Sequence, residues 1–229
     1  MVTNKTSSDR LIKLFATAYP LTFSKNETII RADDTPQGVY YLAKGFVKMN
    51  SQLFDGREIT LNIFRPGSYF PMMWAISDLP NVYNFQAMTS VELRRISQAD
   101  FLEFVKSHPN DLLEISRRIL VGVNGLLFNI NHILSGDSYH RMIAAIMMLA
   151  KRFGEKDAKG KTYIAIPLTH QDLANVAAIT RETASVNLKK LESRGLISQK
   201  SHFFTISDIK LLETESNIEN PELPALSAL

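Results

Sequence analysis

The segment 167–197 constrains the fold of this chain more than any other, because it contains two short helices with recognisable start and stop signals. Thr169, followed three residues later by Asp172, forms a capping-box pattern at the start of the first helix. Thr180 is placed to cap the second helix, and Gly195 suits the left-handed residue that ends it. The spacing of these signals predicts a helix-turn-helix.

The second predicted helix divides into two arcs at 100° per residue. Ala184, Leu188 and Leu191 share one arc and are expected to pack against Leu173 and Val176 of the first helix. The opposite arc carries the side chains that we expect to face DNA, namely Arg181, Glu182, Ser185, Val186 and Lys189. An Arg-Glu pair also begins many ordinary surface helices, so the two capped helices carry the prediction of DNA binding.

Phosphate contacts are expected from residues around the two helices and from the hairpin predicted over 196–206. These candidates are Thr169, His170, Gln171, Thr180, Lys189, Lys200, Ser201 and His202, each of which can equally be plain surface. The chain carries a net charge of +3, and its basic excess is concentrated in residues 137–212. Residues 213–229 carry glutamates and no basic residue. The local positive charge suits a phosphate backbone.

The rest of the chain predicts an α+β fold. Short apolar runs separated by turn signals, among them Asp55-Gly56, predict strands of a β-sandwich or roll over residues 21–96. Helical patterns follow at 98–107, 111–134 and 139–153, with a hinge at 136–138. The boundaries that we expect are a β-roll sensor domain 1–108, a dimerisation helix 109–136, a winged helix-turn-helix domain 137–213 and a disordered tail 214–229.

The predicted long helix carries apolar residues at heptad spacing, which indicates a partner helix from a second copy. The expected dimer seam is Leu112, Ile115, Ile119, Gly122, Leu126, Asn129 and Ile133. Gly122 would allow close approach of the two helices, and Asn129 would fix their register. The alternative is a helix that packs only on its own domain.

Several classes of protein are excluded by composition. The absence of cysteine excludes disulfides, iron–sulfur clusters and zinc fingers. No apolar run approaches the roughly 20 residues that span a bilayer, and the polar start carries no signal peptide, so we expect a cytoplasmic protein without membrane contact. A metal-dependent β-barrel enzyme would need a histidine cluster, yet the first histidine is His108. No catalytic residues are predicted.

A β-roll, a long helix and a winged helix, in this order, resemble the CRP/FNR family of bacterial transcription regulators. The residues that carry the resemblance are Gly38–Gly45, Arg65–Gly67, Val91–Leu93, Ala99–Phe101, Leu149–Lys151, Thr180–Thr183 and Leu191–Glu192. The resemblance implies a cyclic-nucleotide-binding-like jelly roll and a homodimer on double-stranded DNA, with RNA polymerase as a further partner. It also implies palindromic half-sites about 34 Å apart.

The resemblance assigns base contacts to Arg181, Glu182 and Ser185, and two residues depart from the family pattern. Val186 stands where many members have a second arginine, and a valine there suits a thymine methyl group. Ala178 stands where glycine is usual in the turn. We therefore expect a half-site with a G·C pair contacted by Glu182 beside a T-rich position.

Control by an effector other than cAMP is expected, but the identity of that effector is not predicted. Members that bind cyclic nucleotides have a Gly-Glu pair after the Pro-Gly and an arginine about ten residues on, whereas this chain has Pro71-Met72 and no arginine in 81–86. Leu126 and Leu127 replace the polar pair that contacts adenine, so cAMP is not expected. Haem is not expected either, because His108 and His132 have no ligand spacing. Candidate pocket residues, which can equally be core, are Tyr69, Met72, Met73, Trp74, Asn84, Leu126 and Leu127.

A different function remains open at this point. A regulator with this fold could bind an effector and act through protein partners without productive DNA binding. It would then show no salt-dependent binding to any duplex.

Overall fold

The computed structural model describes residues 5–158 and 160–216, with side chains over 10–127, 130–131, 136–158 and 160–215. The chain forms two compact units. The first holds residues up to Ser51 together with Leu61–Asn124, and the second holds Gln52–Thr60 and the residues from Gly125 on. The α+β architecture predicted from the sequence is confirmed.

The first unit is a β-roll flanked by helices. The strands of the β-roll are β1 (Pro20–Phe23), β2 (Thr28–Ile30), β3 (Val39–Lys44), β4 (Val47–Gln52), β5 (Glu58–Phe64), β6 (Tyr69–Phe70), β7 (Asn84–Ala87) and β8 (Val91–Ile96). The end of β4 and the start of β5 fall within Gln52–Thr60, which groups with the second unit. The helices of the first unit are α1 (Lys5–Ala16), α2 (Met72–Ser77), α3 (Gln98–Ser107) and the start of α4 (Pro109–Ser135). The strands form two four-stranded sheets, ordered β1-β8-β3-β6 and β2-β7-β4-β5.

Two apolar cores hold the first unit together. Phe70 stacks against Tyr40 and Phe85 in a core of inward-facing strand residues, with ring centroids 5.6 and 5.1 Å apart. A second core is formed largely by helical residues and includes the fully buried side chains of Phe15 and Phe101. Side chains alternate between the two faces of each strand, so one face of the β-roll points inward and another is covered by the helices.

The second unit contains the predicted winged helix. Its elements are α5 (Ser138–Phe153), β9 (Gly154–Lys156), β10 (Thr162–Ile164), α6 (His170–Ala177), α7 (Arg181–Ser193), β11 (Ile197–Lys200), β12 (Phe203–Ile206) and α8 (Ile209–Ser216). The strands form one sheet in the order β11-β12-β10-β9. Asp137 caps α5 by accepting from the backbone N–H groups of Tyr139 and His140. Its pKa is lowered by hydrogen bonds from the backbone and then the side chain of His140.

Several elements differ from what the sequence indicates. Helix α2 lies where the sequence indicated an effector pocket, and β9 is a short strand that follows the helical pattern ending at residue 153. Helix α8 continues to Ser216, so the expected boundary of a disordered tail at residue 214 is wrong there. The remaining tail residues, 217–229, lie outside the described part of the chain. Among the described helices, none is both long and apolar enough to cross a membrane.

Three members of the expected dimer seam on α4 pack against their own domain. Ile115 is buried, and Leu112 and Ile119 pack against the same helical core as Phe101. A Cβ at Gly122 would meet no neighbouring atom in this chain, and Leu126 is half-buried. The side chains of the other two predicted members, Asn129 and Ile133, lie outside the described residues. For Leu112, Ile115 and Ile119, packing on their own domain is therefore the correct interpretation.

An exposed apolar stripe runs along α4 one residue out of phase with the predicted seam. Its members are Leu113, Leu120, Val123, Leu127 and Ile130, and Ser116 completes the heptad pattern. Their alternate spacing of three and four residues is that of a coiled-coil seam. One residue corresponds to 100° around a helix, so the predicted seam and the α4 stripe face different directions.

Candidate nucleic-acid interface

Two side-chain caps fix the ends of the helix-turn-helix as the sequence predicts. Thr169 Oγ1 accepts a hydrogen bond from the backbone N–H of Asp172 at 3.1 Å, and Asp172 Oδ2 accepts from the backbone N–H of Thr169 at 2.9 Å. Thr180 Oγ1 accepts from the backbone N–H of Thr183 at 3.2 Å. Each cap stabilises its helix by about 1 kcal/mol. The hydroxyls of Thr169 and Thr180, both predicted phosphate contacts, are thus engaged in capping.

The recognition helix α7 has the two arcs that its periodicity predicts. Ala184, Leu188 and Leu191 are fully or almost fully buried, as are Leu173 and Val176 of α6. Two of the predicted base contacts on the outer arc, Arg181 and Glu182, are exposed in the first turn. Val186 on the same arc is 66% exposed, which leaves its methyl groups free to contact a base.

Ser185 differs from its neighbours on the outer arc because it is half-buried and has a partner. His170 Nδ1 lies 2.9 Å from Ser185 Oγ, and His170 Nε2 lies 3.1 Å from Gln199 Oε1 on strand β11. His170, predicted as a phosphate contact, therefore has both ring nitrogens in contact with protein. Sequence reasoning missed Gln199, because it lies 29 residues from His170 and no local pattern links them.

The remaining predicted phosphate contacts lie around α6 and the wing. Gln171 is exposed, and its side-chain amide donates to Asn175 Oδ1 at 2.7 Å. The side chains of Lys189, Lys200, Ser201 and His202 are exposed. The backbone N–H of Leu168 donates to the carbonyl of His202 at 2.8 Å, which holds the turn of the wing beside the start of α6.

The turn between the two helices contains a left-handed alanine. Ala178 has φ 52° and ψ 43°, a conformation that costs a residue with a Cβ about 1–2 kcal/mol. Its carbonyl accepts from Arg57 Nη1 at 3.2 Å and from Arg141 Nη1 at 3.4 Å. Arg57 belongs to the hairpin Gln52–Thr60, which is part of the same compact unit. These hydrogen bonds hold the turn in place despite the strained backbone.

Replacing Ala178 with glycine should stabilise this unit by up to about 1 kcal/mol, because relief of the left-handed strain exceeds the added entropy of the unfolded chain. Hydrogen exchange of the α6 and α7 amides in the full-length protein would measure the effect. The matched control is Ala184→Gly, which changes alanine to glycine inside α7 and should destabilise it. A slower exchange in the control, or a faster exchange in Ala178→Gly, would contradict this assignment of strain.

The C-terminal half of α7 is anchored to helix α5. Asn187 Nδ2 donates to Ser138 Oγ at 3.3 Å, and Lys190 Nζ lies 3.9 Å from the ring centroid of Tyr139. The hydroxyl of Tyr139 donates to Glu215 of α8. Burial, followed by this hydrogen bond to a carboxylate, raises the pKa of Tyr139. The recognition helix is therefore fixed to α5, which in turn is fixed to α8.

The predicted effector-pocket residues of the first unit have different surroundings. Tyr69, Met72 and Trp74 belong to the helical core of the first unit, and Met73 is exposed. Asn84 Oδ1 accepts from the backbone N–H of Ala32 at 2.9 Å. On α4, the other two candidates, Leu126 and Leu127, are half-buried and exposed respectively. Within the described side chains, no group of three His, Asp or Glu lies close enough to hold a metal ion.

Two protein families match consecutive parts of the chain. Residues 20–108 match the cyclic nucleotide-binding domain, and residues 140–215 match the Crp-like helix-turn-helix domain. These ranges correspond to the β-roll and to the unit that carries the recognition helix.

The similarity extends to whole proteins. The chain is 29% identical over 183 residues to a global nitrogen regulator from Nostoc sp., covering 77% of this chain and 80% of that protein. It is 24% identical over 196 residues to a CRP-like cAMP-activated global transcriptional regulator from Mycobacterium tuberculosis, covering 84% and 86% respectively. A crystal structure of a CRP-family transcriptional regulator from Thermus thermophilus has the same fold, with a TM-score of 0.70 and 23% identity. That match covers 86% of this chain and 97% of the other.

Proposed function

Because this chain belongs to the CRP/FNR family of transcription regulators, which bind DNA and are not enzymes, we propose that it acts as a homodimer on a palindromic operator. The observation that carries this proposal is the presence of two exposed surfaces on one chain. One is the outer arc of α7, which exposes Arg181, Glu182 and Val186. The other is the α4 stripe, an apolar heptad seam with no partner among the described residues of the chain. We propose RNA polymerase as a further partner.

The area of the α4 stripe is consistent with a second copy as its partner. Leu113, Leu120, Val123, Leu127 and Ile130 extend over about five turns of helix. Exposed apolar surface of this extent is unusual in a monomer. A twofold axis beside α4 would pair each stripe with itself, as in a two-stranded coiled coil. Two copies of α7 would then contact half-sites about 34 Å apart.

The exposed side chains of α7 define the operator that we propose. The Glu182 carboxylate accepts from cytosine N4, and the Arg181 guanidinium can donate to both major-groove acceptors of guanine. Val186 supplies an apolar contact for a thymine methyl group, where a second arginine would instead favour another guanine. The half-site therefore has a G·C pair opposite Glu182 with a T-rich neighbour.

We propose that the effector is not a cyclic nucleotide, because the residues at the expected binding site do not fit a cyclic nucleotide. A cyclic phosphate buried without a cation is very costly. Residues 81–86 contain no arginine, and the amide of Asn81 donates to the carbonyls of Arg31 and Tyr83 at 2.8 and 2.9 Å. Met72, at the position expected for the ribose-binding carboxylate, packs with the helical core. These side chains already serve the protein's own structure.

Selection of binding sites from random DNA, with and without cell extract, tests the proposed function. The expected product is a palindrome whose half-sites each contain a preferred G·C pair. A changed yield with extract would reveal an effector. If no duplex binds in a salt-dependent manner, the protein acts instead through protein partners, and the proposed function is wrong.

Replacing Arg181 with alanine should relax sequence preference, whereas replacing Lys200 with alanine should weaken all sequences alike. Arg181 contacts a base, and loss of a good base contact costs about 1–3 kcal/mol on cognate DNA only. Lys200 is an exposed wing residue expected at a phosphate, so its loss should reduce the slope of log K against log salt by about 1 per site. Titrations of cognate and scrambled duplexes at several salt concentrations measure both effects. Equal losses on both duplexes for Arg181→Ala would contradict the assignment.

A further inference from the structure

We propose that His170 is a positioning residue that makes the Ser185 hydroxyl a hydrogen-bond acceptor towards DNA, so that Ser185 selects a base with a major-groove amino group. This inference rests on the proposed function, because it assumes that α7 enters the major groove. It adds a specificity rule for one base pair of each half-site. The ligand chemistry that it names is adenine N6 or cytosine N4.

The contacts of His170 link three elements at the DNA-facing side of the helix-turn-helix. His170 is the first residue of α6. Its Nδ1 lies 2.9 Å from Ser185 Oγ on α7, and its Nε2 lies 3.1 Å from Gln199 Oε1 on β11. The ring centroid of His170 is 6.5 Å from that of the fully buried Phe204. The imidazole is therefore held through both of its ring nitrogens.

The direction of each hydrogen bond follows from the chemistry of the partners. Gln199 Oε1 is a carbonyl oxygen and can only accept, so Nε2 of His170 must carry the hydrogen that it receives. In a neutral imidazole the other nitrogen, Nδ1, then has a lone pair and accepts. Ser185 must supply its only hydroxyl hydrogen to Nδ1. Its remaining lone pairs are the part of the hydroxyl available to DNA.

A serine fixed in this way discriminates between bases in a way that a free serine does not. A free hydroxyl rotates and can donate to guanine or thymine or accept from adenine or cytosine. With its hydrogen committed to His170, Ser185 can pair only with the amino group of adenine N6 or cytosine N4. Guanine O6 and N7 and thymine O4 would instead face the lone pairs of Ser185. The expected preference is roughly three- to tenfold, the range that one neutral hydrogen bond supplies.

The experiment measures affinity for all four base pairs at one operator position. That position is the one at which Ser185→Ala loses discrimination. The key variant is His170→Phe, which keeps an aromatic ring beside Phe204 and removes both nitrogens. The matched control is His202→Phe, the same exchange at an exposed wing residue. The melting temperature of each variant verifies folding.

The wild-type protein should prefer the base pair that presents adenine or cytosine to Ser185 by roughly three- to tenfold. His170→Phe should lose this preference to the same extent as Ser185→Ala, and the double variant should lose nothing more. Discrimination at the base pair contacted by Arg181 and the salt slope should be unchanged. A duplex in which adenine at this position is replaced by the base purine, which lacks the 6-amino group, should bind the wild type more weakly. The effect on His170→Phe should be smaller, because its free Ser185 hydroxyl can instead donate to N7.

Three results would overturn this inference while leaving the proposed function intact. The first is a wild-type preference for guanine or thymine at this position. The second is a loss in His170→Phe that is equal for all sequences and reduces the salt slope, which would make His170 a phosphate contact. The third is unchanged discrimination in that variant. If His170→Phe does not fold, the purine duplex and Ser185→Ala still test the acceptor role. Failure of the proposed function would appear differently, as no salt-dependent binding by the wild type.

Discussion

Leu120→Glu is expected to convert the dimer to a monomer and to lower operator affinity by roughly 100-fold or more. Leu120 is 65% exposed in the single chain and lies in the middle of the α4 stripe. Burial of one leucine contributes about 1.5–3 kcal/mol, and a twofold interface buries one from each copy. A glutamate there would also place two like charges opposite each other across the axis. A monomer contacts one half-site only and loses the gain from binding two sites at once.

Sedimentation and operator titration together measure this effect. The matched control is Leu211→Glu on α8, where the same substitution affects a leucine that is 57% exposed but lies off the stripe. This control should remain a dimer and bind DNA as the wild type does. Both variants should keep the far-ultraviolet circular dichroism spectrum of the wild type, since neither leucine is part of a described core. If Leu120→Glu stays dimeric, another surface forms the interface and the α4 stripe needs a different explanation.

The phase of the α4 seam shows what the sequence could not determine. Leu112 and Leu113 begin two apolar stripes of identical spacing, one residue apart. Both stripes have the heptad pattern of a coiled coil, so periodicity alone cannot assign one to a partner. Ile115 lies in the same buried core as Phe101 of α3, which favours the stripe that begins at Leu113 as the one left for a partner. The heptad pattern of α4 could therefore be predicted from the sequence, whereas the packing of Leu112, Ile115 and Ile119 on their own domain could not.

The helix-turn-helix could be predicted in more detail because its signals are local. Capping by Thr169 and Thr180 involves partners within three residues, and the arcs of α7 follow from helical geometry. The contacts of His170 with Ser185 and Gln199 span 15 and 29 residues, so they depend on tertiary packing that no local pattern reveals. Exposure of the outer arc was predictable, but the hydrogen-bond direction at Ser185 was not.

In the first unit, helix α2 also shows a feature that local sequence patterns do not reveal. Met72, Met73 and Trp74 were candidates for an apolar effector pocket, because a run of large side chains after Pro-Gly lies where the family binds ligands. The run forms a short helix instead, and Met72 and Trp74 pack with the helical core. Apolar residues that line a pocket and apolar residues that fill a core have the same composition, so only the neighbouring elements distinguish them.

Phe204→Ala is expected to destabilise the DNA-binding unit by about 3–5 kcal/mol, the usual cost of deleting a buried phenylalanine side chain. Phe204 has no exposed surface, and its strand β12 pairs with both β10 and β11. The substitution would also remove the ring beside His170, so the protein should lose stability and operator binding together. The neighbouring residue gives the matched control. Phe203 is 40% exposed, and Phe203→Ala should cost less than about 1 kcal/mol.

The single tryptophan allows the effect to be assigned to one unit. Trp74 lies in the first unit, so its fluorescence follows denaturation of the β-roll, whereas amide exchange of α5 and α7 follows the second. Phe204→Ala should leave the tryptophan transition in urea unchanged and speed exchange in α5 and α7. A loss of about 3–5 kcal/mol corresponds to roughly 100- to 5,000-fold faster exchange where opening of the whole unit limits it. If both transitions shift together, the units unfold as one. If neither shifts, Phe204 does not support the site, and the fixed orientation of His170 must depend on Ser185 and Gln199 alone.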